Sequence, residues 1–465
     1  MKKRVLFGIL FLSLILSLSF ASAEMNQSQI DKAYDCLEQK VEGKCSSLSL
    51  EQQIFSLLAI GECESEIVAN SDYMSDTKIT AQSILALDKV NTDTSEAQEW
   101  LSSQNATPEG IDWLLQIEST EETICTINYG GTSYSGITIN NDKTISAPAG
   151  PCLTLYPGDY WLRIAQTQEC YNYDFEISCD SSFSTNLLYK KTQGTNSDVI
   201  YVSGKTNSAS GEGTTTERVN SLCFTQDGSC DYEASLWSAL VLNYKGYDVS
   251  SYLPYLITLS SDYPELIPES FLYSLTNSFR NELLLKQLPS GYWQESNNRY
   301  YDTALALMPF QNKDLEQKDL ATDWLSEVQN NDGCWNNGNI LDTAFILYSL
   351  WPQSFILPGG IDEGLDCESS GYFCISPMSC SEAQGEELEE YSQSCFGTNI
   401  CCTQDRLLGS CEEQGGEICG SGETCTTSVV EASDTSECCL GSCQVPTETT
   451  ECELYGDGTC RSSCY

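Results

Sequence analysis

The spacing of apolar residues changes along the chain and divides it into blocks. Residues 24–118 and 217–358 place apolar side chains at helical intervals, whereas residues 119–205 alternate apolar and polar positions between glycine-containing turns. Residues 206–216 are rich in Ser, Thr and Gly, a composition typical of a linker. These patterns predict one helical domain in two blocks, with a β module inserted between them.

A repeated motif gives the helical blocks more definition. The pattern Gln-x-x-x-Gly-x-Trp occurs at residues 287–293 and 329–335, and each copy is followed by Asp-Thr-Ala, at 302–304 and 342–344, and then by an apolar stretch. A glycine-containing turn between two helical segments indicates a helical hairpin. About twelve helices of this kind would form hairpins closed into a ring.

This motif resembles the repeat of the terpenoid cyclase and protein prenyltransferase superfamily. The resemblance implies a mainly α fold, an α/α toroid of helical hairpins, here with an inserted β module and a disulfide-rich C-terminal repeat array. The catalytic strings of that superfamily, Asp-x-Asp-Asp and Asp-Asp-x-x-Asp, do not occur, and the chain has no histidine to complete a prenyltransferase zinc site. The resemblance therefore implies the fold without the activity, and we expect no cofactor and no metal.

The N-terminal residues 1–23 predict a secretory signal peptide. Lys2, Lys3 and Arg4 precede an apolar run over residues 5–20, and Ala-Ser-Ala at 21–23 forms a small-residue cleavage site. The remaining sequence contains no second apolar run of membrane-spanning length. We therefore expect a secreted or cell-surface protein with no membrane span after signal cleavage.

Cysteine usage agrees with export to an oxidising space. The chain has 25 cysteines, and residues 359–465 form a cysteine-rich array in which Cys-Glu-x-x-Gly recurs at 367–371, 411–415 and 452–456. The spacing of these cysteines, with its vicinal pairs, resembles knottin or clip-type modules. Because 25 is an odd number, at least one thiol stays free or forms an intermolecular disulfide.

The sequence leaves the pairing of these cysteines open, because about 15 pairings are available to any six of them. The cysteines expected in disulfides are Cys36, Cys45, Cys125, Cys152, Cys170, Cys179, Cys223, Cys230, Cys367, Cys374, Cys380, Cys395, Cys401, Cys402, Cys411, Cys419, Cys425, Cys438, Cys439 and Cys443.

Two aspartates are the candidates for catalysis. Asp302 and Asp342 begin the two Asp-Thr-Ala strings, so both should lie near one mouth of the ring. Carboxylates facing each other there could hydrolyse a glycosidic bond. Alternatively, each aspartate is the N-cap of its helix and accepts hydrogen bonds from the first turn, which explains why it recurs with the repeat. Catalysis is therefore not expected.

Aromatic residues are the candidates for ligand binding. Trp293, Trp335, Tyr301 and Tyr348 could line a central cavity for a small molecule. Alternatively, these aromatic side chains fill the axis of the ring.

Charge narrows the class of partner. With 67 acidic and 22 basic residues the formal charge is −45, which opposes binding to nucleic acid. We expect a non-catalytic binding protein for an extracellular protein or glycan. Two alternatives stay open: a carrier of a corrinoid- or terpenoid-like small molecule, and a glycan hydrolase that uses carboxylates at the mouth.

Overall fold

The computed structural model describes most of the first 353 residues and parts of the C-terminal region. The described residues are 25, 27–194, 196–311, 313, 315–353, 367, 372–375, 380, 383, 385–388, 400–404, 411, 417–419, 424–425, 429–432, 435–439 and 442–444. Residues 1–23 lie outside this set, so the signal peptide stays a prediction. The chain divides into two compact units, Met1–Gly360 and Ile361–Tyr465, and the boundary lies close to the expected start of the cysteine-rich array.

The described residues combine helices with antiparallel sheets, so the prediction of a mainly α toroid is wrong. In the first unit, sheets of five, four and three strands accompany the helices. One source of the error is the strand Ile111–Ser119, because we assigned its residues up to 118 to a helical block. Trp113, Leu114 and Leu115 are consecutive apolar residues, residues 111–115 are all buried, and such a short run does not distinguish a strand from a helix.

The helices of the first unit are α1 (Gln27–Val41), α2 (Leu50–Ile60), α3 (Glu64–Ala69), α4 (Thr77–Lys89), α5 (Ser95–Ser103), α6 (Gln168–Tyr171), α7 (Tyr232–Tyr244), α8 (Leu253–Leu259), α9 (Pro268–Thr276), α10 (Arg280–Leu285), α11 (Arg299–Leu307), α12 (Glu316–Val328) and α13 (Ile340–Leu350). Helices α2, α4, α7, α9, α11 and α13 contact one another in cyclic order, and α13 contacts α2.

Five of the six helices in this cyclic arrangement have an N-cap side chain from the residue that precedes them. Each of these residues accepts a hydrogen bond from a backbone N–H of the first turn, which satisfies a donor that has no partner within the helix. The capping residues are Ser49, Asp76, Asp231, Asn298 and Asn339.

The Gln-x-x-x-Gly-x-Trp motif joins neighbouring helical segments. The Gln287 side-chain amide donates to the carbonyl of Gly291 at 2.9 Å and to the carbonyl of Gln317, in α12, at 2.7 Å. The amide of Gln329 donates in the same way to Gly333 at 2.8 Å and to Gln29, in α1, at 2.9 Å. The second copy of the motif therefore binds the last helices of the unit to its first helix.

A glycine and a disulfide stabilise this junction. Gly333 has φ +98°, and a Cβ atom at this position would collide with the backbone carbonyl of Lys32. The next residue, Cys334, forms a disulfide with Cys36 of α1 across a sequence separation of 298 residues. The closing contact therefore combines a covalent bond with close packing of two backbones.

The strands of the first unit are β1 (Asn105–Ala106), β2 (Ile111–Ser119), β3 (Thr123–Tyr129), β4 (Thr132–Ile139), β5 (Leu153–Leu155), β6 (Leu162–Ile164), β7 (Phe175–Cys179), β8 (Phe183–Lys191), β9 (Ile200–Ala209), β10 (Thr214–Glu217), β11 (Cys223–Gln226) and β12 (Ser229–Cys230). The end of β9 and the start of β10 occupy residues 206–216, where we expected a linker.

Most of these strands form two antiparallel sheets, in the orders β5-β6-β2-β8-β9 and β10-β7-β3-β4. The sheets meet at Thr185, whose hydroxyl hydrogen-bonds Thr215 at 3.0 Å and Glu217 at 2.6 Å. Strands β1 and β11 pair where the chain enters and leaves this module, with Asn105 opposite Phe224. The module is thus an insertion whose two ends lie side by side.

The second unit contains short paired strands and disulfides. Its described strands are β13 (Phe373–Ile375), β14 (Ile400–Cys402), β15 (Glu417–Ile418), β16 (Thr424–Cys425), β17 (Val429–Ala432), β18 (Thr435–Cys439) and β19 (Cys443–Gln444). Strand β13 pairs with β14, β18 lies between β15 and β17, and β16 pairs with β19.

Ten disulfides join the described cysteines, which confirms that the chain is disulfide-bonded and cysteine-rich. They are Cys36–Cys334, Cys45–Cys63, Cys125–Cys179, Cys152–Cys170, Cys223–Cys230, Cys367–Cys401, Cys380–Cys402, Cys411–Cys438, Cys419–Cys443 and Cys425–Cys439. In the repeats that begin at Cys367 and Cys411, the first cysteine bonds the first member of the vicinal pair, and the third cysteine bonds the second member. Cys395 and the side chain of Cys374 lie outside the described residues.

Candidate functional site

Charged side chains gather where the N-terminal ends of the ring helices meet, a region we call the mouth. The Lys78 ammonium of α4 lies 3.0 Å from a carboxylate oxygen of Glu51 in α2 and 3.0 Å from one of Glu233 in α7. Burial opposes the charge of Lys78, but attraction and hydrogen bonds to Glu233 and Glu51 outweigh it and raise the pKa of this lysine. Lys78 is therefore a fixed cation that bridges three helices.

Asp302 lies in the first turns of α11 and is 1% exposed. One carboxylate oxygen accepts the backbone N–H of Glu295 at 2.8 Å and that of Ser296 at 2.6 Å, and the other accepts the Ser296 hydroxyl at 2.6 Å. Burial raises the pKa of Asp302, the hydrogen bonds from residues 295 and 296 oppose that rise, and the charge of Asp342 adds to it. Both oxygens already have donors within the chain.

Asp342 of α13 is fully buried and is joined to the same network. Its two oxygens accept the side-chain amides of Asn298 at 2.8 Å and Asn336 at 2.6 Å. Burial raises the pKa of Asp342, and these two hydrogen bonds oppose the rise. The interpretation of Asp302 and Asp342 as N-caps is wrong, because Asn298 and Asn339 cap these helices.

Tyr301 links the aspartates to the charges around Lys78. Burial raises the pKa of the Tyr301 hydroxyl well above 10, and the negative charges of Glu233, Glu51, Asp302 and Asp342 raise it further. The structure thus brings Asp302, Asp342 and Tyr301 together. Sequence analysis did not predict the ion pairs of Lys78 with Glu51 and Glu233, although each of these three residues is the second residue of a ring helix.

Trp293 and Trp335 are structural side chains of the repeat. Both are 0% exposed, and their indole N–H groups donate at 2.9 Å to the carbonyls of Leu283 and Leu325. Their backbone N–H groups donate at 3.1 Å to the hydroxyls of Thr303 and Thr343 in the Asp-Thr-Ala strings. Each tryptophan therefore connects the two helices of its own hairpin.

Aromatic side chains occupy the centre of the ring. The ring centroid of Phe345 lies 4.7 Å from that of Phe55 and 4.9 Å from that of Tyr301, and Trp237 packs edge-on against Phe271 at 5.1 Å. Tyr348 packs against Phe345 and is 1% exposed. Among the described residues, the predicted ligand-binding aromatics thus contact protein side chains.

Lys89, at the C-terminal end of α4, lies between α2 and α13 and contacts one residue of each. Its ammonium donates to the carbonyl of Leu58 at 2.7 Å and lies 5.3 Å from the centre of the Tyr348 ring. Burial lowers the pKa of Lys89 to about 7. The C-terminal end of the ring thus carries a lysine with an unusually small preference for its charged form.

Two groups of described residues have metal-ligand spacing. They are Cys36, Asp332 and Cys334, and Cys419, Cys439 and Cys443. Every cysteine in both groups is in a disulfide. A cysteine binds a metal ion as a thiolate, and a disulfide offers none, so neither group is a candidate metal centre in the oxidised protein.

No protein-family model, curated protein or solved structure matches the chain. Together with the mixed α and β fold, this result makes the predicted membership of the terpenoid cyclase and prenyltransferase superfamily wrong. Within the described part of the chain, no helix has both the length and the apolar character needed to cross a membrane.

Exchanging either mouth aspartate should test its structural role. We expect Asp342→Asn to lower the free energy of unfolding by about 1–2 kcal/mol, because an amide cannot accept from both asparagine donors. Asp302→Asn should behave similarly. Asp332→Asn is a suitable control, since this carboxylate is 51% exposed and makes a long ion pair to Lys40, and the amide oxygen of the variant can still accept the N–H of Cys334. Urea unfolding measures all three variants, and loss of glycan hydrolysis in a stably folded Asp302→Asn or Asp342→Asn variant would favour the hydrolase alternative.

Proposed function

We propose that the protein is a secreted or cell-surface binding protein that recognises an extracellular protein or glycan without transforming it. The packed centre of the helical ring carries this proposal. Phe55, Trp237 and Phe345 contact one another there, with centroid distances from 4.7 to 6.5 Å. A carrier would need that volume for its ligand, so the packing favours recognition on the outer surface.

The mouth aspartates also favour binding over catalysis. A general acid or base must exchange a proton with a substrate and therefore needs a face open to it. Asp302 and Asp342 are buried, and their carboxylate oxygens accept hydrogen bonds from neighbouring backbone and side-chain donors. Their role in this proposal is to hold α11 and α13 in place.

The disulfides and the acidic composition are consistent with a function outside the cell. The ten described disulfides suit an oxidising environment, and a formal charge of −45 keeps an exported protein soluble. In this proposal the helices and the inserted sheets form one binding unit, and the cysteine-rich repeats form a separate one.

Native mass spectrometry of the protein recovered from an oxidising export pathway distinguishes the proposed binding protein from a small-molecule carrier. We expect the mass of the disulfide-bonded chain alone, because the ring centre is packed. A tightly held non-protein mass that survives buffer exchange would contradict the proposal and favour the small-molecule carrier. Incubation with a panel of oligosaccharides should then give complexes of intact ligand mass, whereas shortened oligosaccharides would indicate hydrolysis.

A further inference from the structure

The connection between β5 and β6 presents aromatic rings at the surface of the inserted module. We call residues 156–161 the aromatic loop. Tyr160 is 48% exposed, and its ring centroid lies 6.4 Å from that of Trp161, which in turn lies 5.7 Å from that of Tyr156. Tyr156 and Trp161 are half-buried at the base of the loop, so Tyr160 is the exposed member of a cluster of three rings.

Backbone hydrogen bonds fix the shape of this loop. The N–H of Tyr156 donates to the carbonyl of Trp161 at 2.9 Å, and the N–H of Asp159 donates to the carbonyl of Tyr156 at 2.8 Å. Gly158, with φ +95°, and Asp159, with φ +61°, form the tight turn at the tip. The rings are therefore presented in a fixed arrangement, so binding does not require the loop to be ordered first.

Two cations lie against the innermost ring of the loop. The guanidinium of Arg163 is 5.0 Å from the centre of the Tyr156 ring, and the Lys190 ammonium is 5.6 Å from it. Lys190 also donates to the Tyr156 hydroxyl at 3.0 Å. Among the described residues, one carboxylate lies within ion-pair distance of these cations, that of Asp112, which is 3.3 Å from Arg163 and is itself almost buried. A second carboxylate, that of Asp159 in the loop, is exposed and forms no ion pair with either cation. The side chain of Arg163 remains 43% exposed.

The chain as a whole is strongly acidic, with 22 basic and 67 acidic residues. An anionic ligand is repelled by most of such a surface, and it would be stabilised only where cations outnumber carboxylates. Arg163 and Lys190 have one carboxylate within ion-pair distance, that of Asp112, and they lie against the half-buried ring of Tyr156. Charge complementarity therefore favours an anionic ligand that also has a flat apolar face.

We infer that the aromatic loop, with Arg163 and Lys190, binds an anionic glycan, a polysaccharide whose sugars carry carboxylate or sulfate groups. The C–H face of a pyranose packs on the exposed ring of Tyr160, and the acidic group pairs with Arg163 and Lys190. A protruding loop suits the side of a glycan chain better than it suits an isolated amino-acid side chain, which needs a concave pocket. This inference rests on the proposed binding function and specifies its ligand.

Calorimetric titration of the full chain with polygalacturonate tests the inference, with a sulfated polysaccharide as second probe and uncharged dextran as reference. We expect binding of at least one anionic polymer and an affinity at least tenfold lower for dextran. Tyr160→Ala should weaken anionic binding by about tenfold or more, since the variant loses the ring on which the sugar packs. Arg163→Gln combined with Lys190→Gln should remove the preference for the anionic polymer and flatten the dependence on salt.

A matched control is Tyr247→Ala, because Tyr247 is also exposed, at 41%, but lies in the helical part of the unit. It should leave the affinity unchanged, and equal loss in both tyrosine variants would overturn the assignment of the site. Absence of binding to both anionic polysaccharides would overturn the inference. Equally tight binding of polyglutamate would also overturn it, by showing a peptide ligand. In either case a bare chain in native mass spectrometry leaves the broader binding proposal standing.

Discussion

Removing the Cys36–Cys334 disulfide should destabilise the first unit more than removing any shorter bridge within it. We expect Cys36→Ala combined with Cys334→Ala to lower the free energy of unfolding by about 4–5 kcal/mol. The bridge closes a loop with a sequence separation of 298 residues, and the conformational entropy lost by the unfolded chain grows with the length of the loop that a bridge closes. The folded state also loses the covalent link between α1 and the turn that precedes α13.

The pair Cys223→Ala and Cys230→Ala is the matched control. This bridge also lies in the first unit, but its sequence separation is only 7 residues, so its removal should cost about 2 kcal/mol. Urea unfolding without reductant compares the two double variants. Equal losses would contradict the entropic explanation, and hydrogen exchange at α1 would then show whether the Cys36–Cys334 bridge mainly holds that helix locally.

Replacing Lys89 by methionine should change how stability depends on pH. The pKa of Lys89 is about 7 in the folded protein and 10.5 without burial, so between these values the unfolded chain binds more protons than the folded one. The free energy of unfolding of the wild type therefore rises with pH in this range, by at most about 1.4 kcal/mol per pH unit. Relative to Lys89→Met, the wild type should gain roughly 2 kcal/mol between pH 7 and pH 9.

Comparing the wild type with Lys89→Met isolates the contribution of Lys89 to the pH dependence of the free energy of unfolding. The nearby hydroxyl of Tyr348 has a pKa raised well above 10 by burial and by Tyr244, and both tyrosines are present in both proteins. Lys78→Met is the control, because the pKa of Lys78 is raised in the folded state and its contribution to stability stays constant below pH 9. Urea unfolding at pH 6, 7, 8 and 9 provides the data. A constant difference between wild type and Lys89→Met would show that Lys89 stays fully protonated.

The sequence predicted local features of the fold better than the fold itself. The Gln-x-x-x-Gly-x-Trp motif indicated helical hairpins, and Gln287 and Gln329 make equivalent hydrogen bonds in its two copies. The extent of the β structure was missed because Ile111–Ser119 is buried along most of its length and lacks the alternation of a half-exposed strand. Motif spacing describes a hairpin, but it does not measure how much of the remaining chain forms sheets.

The candidate site was predictable only in part. Asp302 and Asp342 were identified because they recur in the repeat, yet their actual hydrogen-bond partners, such as Asn336, lie outside the Asp-Thr-Ala strings. The bridge of Lys78 to Glu51 and Glu233 joins residues from separate helices, and nothing in their local sequence distinguishes them from solvated surface charges. Likewise, Cys63 and Cys334 were not among the expected disulfide cysteines. Cys334 pairs with Cys36 over 298 residues, a pairing that depends on the tertiary fold, whereas Cys63 pairs with Cys45 over only 18 residues and was missed although its partner is near in sequence.

The pairing of β1 with β11 has a consequence for the evolution of the chain. Because Asn105 and Ala106 lie opposite Phe224 and Cys223, the inserted module begins and ends at nearly the same point of the helical part of the unit. A segment attached in this way can be lengthened, exchanged or lost while the path of the remaining chain is kept. The sequence of the inserted sheets, including the aromatic loop, can therefore change, and ligand specificity with it, while the helices keep their packing.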